Sequence, residues 1–233
     1  MTAPATPSGL ATVGTLAQVT LKRFTRGRGP WIAAGLAAPP VVYATVRHVY
    51  HGAARASELF FLTMLLVAVL PAMFIASSIG EEIEQRTSAY LWSRALPRWA
   101  VIAGVLSALA PFAVVLMVAS WIAAVRLGTV SGPSAVSCIA VAAACLAASF
   151  VAAGIATLVP RHAMVLTICY LLADNTIGAL DFSLAELSIT HQAKLLAQFA
   201  DEPQPIAGPL IAIALVAAVW GAIAAVRIRR LEV

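Results

Sequence analysis

Few side chains in this chain could do chemistry, and they fall into three groups. The densest is GEEIEQRTSAYLWSRALPRW, residues 80–99, where Glu81, Glu82 and Glu84 place three of the ten acidic residues within four positions. The second is Asp174, Asn175 and Thr176, a lone carboxylate and two polar neighbours inside an apolar run. The third is His48 and His51, three apart, which could share a metal ion from one helical face. No third ligand lies near them in sequence, so a pair of solvated imidazoles at a membrane interface is the competing reading. None of these groups makes a catalytic constellation. Chemistry within a bilayer needs a nucleophile with a base, or a metal cluster, and no histidine falls well inside an apolar run. A G-x-x-x-x-G-K-[ST] phosphate cradle is missing too, because Lys22 and Lys194, the only lysines, have no glycine-rich loop before them. The chain is therefore not read as an enzyme, and no metal or cofactor of its own is expected.

The elements that must carry these groups are membrane helices. Of 233 residues 61% are hydrophobic and 11% charged, with a mean hydropathy of +0.93, whereas a soluble domain carries about 25% charged residues. A bilayer-crossing helix needs roughly 20 mainly apolar residues. Six runs answer to this, at about 30–46, 59–79, 99–125, 134–159, 163–180 and 207–226. Pro39 and Pro40 interrupt the first, and Asp174–Asn175 offers a break in the fifth. No soluble domain fits into what remains, so residues 29–226 form one six-helix membrane domain. The net charge of +5 is read as topological, not as a nucleic-acid footprint, because the basic residues flank the apolar runs.

Orientation follows from those flanks. With the N-terminus cytoplasmic, the inside set is Lys22, Arg23, Arg26, Arg28, Arg86, Arg94, Arg98, Arg161, Arg227, Arg229 and Arg230, leaving Arg47, Arg55, Arg126 and Lys194 outside. The bias favours both termini inside, with residues 227–233 as a cytoplasmic tail. Residues 1–8 read as disordered, and the first thirty residues lack the order of a secretory signal. Residues 9–28 read as an amphipathic helix lying in the interface with its basic end among headgroups; a plain positively charged flank is the alternative. Residues 81–95 then form a cytoplasmic helix between spans two and three. Glu81, Glu82 and Glu84 occupy its first turn, Arg94 and Arg98 its far end, and Pro97 stops it. Its Ile83, Tyr90, Leu91 and Trp92 supply apolar and aromatic surface suited to a partner's groove, and a solvated connecting turn is the competing reading.

The remaining features concern packing. Ala140, Ala144, Ala148, Ala152 and Ala156 form a small-residue stripe on span four, and Ala217, Gly221 and Ala225 a shorter row on span six. Trp31, Trp99 and Trp121 fall near predicted span ends and read as interfacial anchors. Cys138, Cys145 and Cys169 lie within spans and imply no disulfide framework. The outside segment 181–208 spaces Leu184, Leu187, Ile189, Leu195, Leu196 and Phe199 as an amphipathic helix on the outer surface or dipping into it, with His191 and Lys194 on its polar face. Asp174 is placed ~18 Å into its helix, within the hydrocarbon, where an acidic residue is usually functional or paired. With Asn175 and Thr176 it either lines a substrate path or bonds within the bundle.

The stretch IGEEIEQRTSAYLWSRALPRWAVIAGVLSALA resembles the signature region of the ABC-2 type permeases, E-x-E-x-G-T-x-x-x-L-x-S-x-P-x-S-R. Glu82, Glu84, Thr87, Leu91, Ser93 and Arg98 match it in order; Arg86 stands where the family has glycine, and Ala95-Leu96-Pro97 replaces its compact proline turn. The basic helix before the first span is similar to the family's elbow helix, and LAELSITHQAKLL to its outer helical segment. The resemblance implies an all-α integral membrane fold of six transmembrane helices with an N-terminal interfacial helix and a cytoplasmic coupling helix. It implies the permease subunit of an ATP-binding cassette exporter in the inner membrane, a homodimer whose separate ATPase subunit binds ATP and Mg. Glu81, Glu82, Glu84, Arg86, Thr87, Tyr90, Leu91, Arg94 and Arg98 would then meet the ATPase. An ATP-independent carrier or channel, or a noncatalytic anchor, is the alternative.

Overall fold

A computed structural model describes residues 9–84, 98–180, 183–199 and 205–230, all-helical among those residues with no strand. Helix α1 is Gly9–Arg26, α2 Gly29–Ala37, α3 Pro39–His51 and α4 Ala56–Pro71. A π-helical turn, Ala72–Ala76, joins α4 without interruption to α5, Ser77–Glu84. Then come α6, Arg98–Gly128; α7, Ala135–Leu158; a 3-10 turn, Pro160–His162; and α8, Ala163–Ile177. A second 3-10 turn, Ser183–Leu187, precedes α9, Ile189–Leu196, and α10 is Ala207–Arg230. Among the described residues four helices are long and apolar enough to cross a membrane: Ala56–Glu84, Trp99–Gly128, Ala135–Leu158 and Ala207–Arg230. The chain is thus a multi-pass membrane protein. Of the two other expected spans, the first is split into α2 and α3 and the fifth is the 15-residue α8.

The split between α2 and α3 has a cause and a remedy. Pro39 and Pro40 bring no amide hydrogens to the helix, which frees carbonyls of the preceding turn. Ser120 of α6 donates its hydroxyl to the Ala37 carbonyl at 2.5 Å and satisfies one of them inside the apolar interior. Pro71 leads likewise into the π turn, after which the Ser77 hydroxyl donates to the Met73 carbonyl.

Two apolar clusters mark the two ends of the bundle. At one end Ile79 of α5, Ile102 of α6, Ala156 of α7, Ala163 of α8 and Ile228 of α10 pack together, with Ala17 and Phe24 of α1 against them. At the other, Leu59 and Phe60 of α4 meet Trp121 and Val125 of α6 and Leu196 of α9. Close helix approach depends on small residues. A Cβ on Gly104 would come within 2.8 Å of Leu16 Cβ, which is how α1 lies along α6. A Cβ on Gly154 would come within 2.5 Å of Trp220, and one on Gly221 within 3.2 Å of Phe150, so α7 and α10 approach closely at these glycines, of which Gly221 belongs to the small-residue row of α10. All five alanines of the α7 stripe are buried, while Ala225 on α10 is exposed.

Several expectations need correction. Trp121 is not an interfacial anchor: it is 1% exposed, and its indole donates to Ser137 Oγ at 3.0 Å. Helix α6 runs about 46 Å at 1.5 Å per residue, so Trp121 falls inside the bundle. Trp31 and Trp99 are exposed. The outer segment is not one amphipathic helix. Ser188 ends the 3-10 turn and caps α9, accepting from the His191 amide at 3.2 Å. Ile189, Thr190, Gln192, Ala193 and Leu196 are buried, so α9 sinks into the bundle rather than lying on its surface. Helix α8 is unbroken through Asp174 and Asn175 and ends at Ile177, short of the expected residue 180.

Candidate functional site

The acidic segment is built as a continuation of span two. Nothing in SSIGEEIE breaks a helix, so α5 carries its ladder straight through Glu81, Glu82 and Glu84. The three glutamates therefore form the last described turn of α5 and not the first turn of a separate helix, which corrects the sequence reading. Arg98 opens α6. Arg86, Thr87, Tyr90, Leu91 and Arg94 lie outside the described residues.

The three carboxylates point differently. Glu81 and Glu84 are exposed, whereas Glu82 is half-buried, with an Oε2 atom that is buried and accepts no hydrogen bond from the described residues. Glu82 turns toward α1, and Arg23 lies within electrostatic reach of it. Beside it, α5 touches the 3-10 turn: a Cβ on Gly80 would sit 2.7 Å from the Pro160 carbonyl, so only glycine admits this approach. Arg161 and His162, both exposed, thereby stand next to the acidic turn.

Asp174, Asn175 and Thr176 are not brought to one surface. Asp174 is 8% exposed, and its carboxylate accepts from the Ile189 amide (Oδ1, 3.0 Å), the Thr190 amide (Oδ2, 3.0 Å) and the Thr190 hydroxyl (Oδ2, 3.0 Å). Its own carbonyl accepts from Ser188 Oγ at 3.0 Å. An anion at the N-terminus of α9 meets the exposed amides and the positive end of the helix dipole. Lys194 Nζ donates to the Gly178 carbonyl at 3.2 Å, fastening the far side of α9 to the end of α8. Asn175 is 2% exposed with neither side-chain polar atom bonded among the described residues. Thr176 faces outward and donates to the Ala173 carbonyl at 2.8 Å.

His48 and His51 are exposed in the last turn of α3. Among the described residues no three His, Cys, Asp or Glu side chains gather as metal ligands. At the end of the bundle away from α5, Glu58 receives the Tyr43 hydroxyl at 3.2 Å and an Arg47 ion pair at 3.7 Å. Sequence reasoning missed this group because its members come from different helices. No family model matches the chain, and no curated protein matches it.

Proposed function

We propose that the chain is the transmembrane permease subunit of an ABC-2 type transporter, exporting its substrate across an inner membrane as a homodimer driven by a separate ATPase. The observation that carries the reading is the contact of Gly80 with Pro160. It sets Glu81 and Glu84 beside Arg161 and His162 at the end of the bundle that also holds the α1 terminus and Ile228. Basic residues concentrate at that end, which favours its being cytoplasmic. With that orientation α2–α3, α4–α5, α6, α7, α8 and α10 make six crossings, and both termini are inside. Helix α8 spans only ~22 Å, and α9, docked on its end through Asp174, completes that crossing.

Such a surface suits an ATPase, because a load applied to Glu81–Glu84 acts on the end of a 29-residue helix. Between the π turn and the acidic turn α5 is unbroken, so partner closure moves Ser77–Glu84 as a rigid body. The π turn at Ala72–Ala76 is the place where that rod could bend. The test is reconstitution with a Walker-A ATPase that copurifies from native membranes. Glu84→Ala combined with Arg161→Ala should lower permease-stimulated ATP hydrolysis severalfold while the thermal midpoint stays put. Unchanged stimulation, or labelling of a cysteine at position 84 from the outer side only, refutes the assignment.

A further inference from the structure

We infer that the cleft between α1 and α5 is a binding site for the headgroup of an ethanolamine phospholipid, a zwitterion carrying a primary ammonium next to a phosphate. The cleft has a volume of about 470 Å³ and two unlike walls. One is charged: Arg23 from α1 faces Glu81 and Glu82 from α5. The other is apolar: Phe24 and Phe74, whose rings meet edge to face at 5.1 Å, together with Leu109. A guanidinium is suited to phosphate through paired N–H donors. The carboxylates are suited to an ammonium, and the aromatic wall to the start of an acyl chain.

Glu82 points to a hydrogen-bond donor. Its Oε2 atom is buried and receives no hydrogen bond from the described residues. A buried carboxylate oxygen without a donor is unfavourable, so something with an N–H or O–H belongs there. Arg23 is exposed and lies on the same cleft, which sets a cation beside the carboxylates as the ethanolamine phosphate pattern demands. A choline headgroup has the same charge but no N–H, and a glycerol headgroup has no cation; neither would satisfy Glu82 and Arg23 together. The charged wall also stands at the last described turn of the membrane-crossing helix Ala56–Glu84, the end of a span being where headgroups lie.

The inference needs only that the chain resides in a membrane, so it stands or falls separately from any ATPase. The test uses the purified full chain in a neutral detergent, titrated with dihexanoyl phosphatidylethanolamine, phosphatidylcholine and phosphatidylglycerol, with binding read by native mass spectrometry and by the thermal midpoint. The ethanolamine lipid should bind roughly tenfold more tightly than the choline lipid, the worth of one charged hydrogen bond. Glu82→Ala removes an unpartnered carboxylate, should leave the lipid-free midpoint unchanged or higher, and should bring the two lipids level. Arg23→Gln, on an exposed position, should weaken all three lipids while the ethanolamine preference persists. Equal binding of ethanolamine and choline lipids by the unaltered chain overturns the inference, as does a preference that survives Glu82→Ala. Octylammonium binding as tightly as the ethanolamine lipid would also overturn it, since the phosphate would then contribute nothing.

Discussion

Asp174→Asn should detach α9 from the end of α8, and the size of the effect can be worked from the bonds. The carboxylate accepts from two amides and one hydroxyl, each at 3.0 Å. An asparagine keeps one acceptor oxygen and turns an NH₂ toward at least one of those donors. It removes the negative charge from the α9 N-terminus, a loss of about 0.3–2 kcal/mol, and leaves a buried donor unmet, a further loss of roughly 1–3 kcal/mol. The sum for the variant is about 1–4 kcal/mol, held below simple addition because the bonds share one carboxylate. The assay is native-state amide hydrogen exchange in detergent. Ile189 and Thr190, whose amides donate to Asp174, should lose roughly 5- to 1,000-fold of protection, while amides in the middle of α7 change little. Thr176→Ala, at an exposed neighbour whose hydroxyl stays within α8, is the matched control. Full protection at Ile189 and Thr190 in the asparagine variant would refute the clamp and return Asp174 to the substrate-path reading.

Two further outcomes test the packing. Gly154→Val should push α10 from α7, because the added carbon atoms meet both the Trp220 ring at 2.5 Å and its carbonyl at 3.1 Å; a cost of about 1–3 kcal/mol should lower the thermal midpoint, and Trp220→Leu should restore only part of it. Ser120→Ala should strand the Ala37 carbonyl at the α2–α3 break and cost ~1–3 kcal/mol, whereas Ser107→Ala, whose hydroxyl bonds the Gly104 carbonyl within its own helix, should change the midpoint little.

What could be read from one strand of text was whatever is encoded locally. The expected run 134–159 and the observed Ala135–Leu158 nearly coincide because Ser134 caps one end and Pro160 closes the other. The proline break in span one was visible as Pro39 and Pro40, but the Ser120 hydroxyl that makes it tolerable comes from 83 positions away. Trp121 was misplaced because hydropathy marks where an apolar run ends and not where the bundle ends, and α6 extends past that point. Ser188 caps α9 in the structure, yet Leu184, Leu187 and Ile189 on either side of it fit one apolar spacing, so the two short elements read as one. The Asp174 carboxylate was recognisable as requiring a partner; that the partner is the start of α9 depends on a chain reversal of 15 residues, which no periodicity encodes.

The acidic turn looked like one functional unit in the sequence, and the fold divides it. Glu84 faces outward, Glu81 is exposed at the edge of the α1–α5 cleft, and Glu82 is half-buried in it. Successive helical positions differ by about 100°, so three glutamates within four residues cannot all serve one surface. Glu84, proposed to meet an ATPase, and Glu82, proposed to meet a lipid head, therefore differ, while Glu81 borders both surfaces on the same helical turn. That arrangement lets the two proposals be separated by substitution: Glu84→Ala should spare ethanolamine-lipid preference, and Glu82→Ala should abolish it in a chain with no ATPase present. Because both groups ride on α5, a lipid head drawing α1 toward Glu82 would also change where Glu81 and Glu84 sit. Occupancy of the cleft and engagement of a cytoplasmic partner would then be coupled through less than one turn of helix.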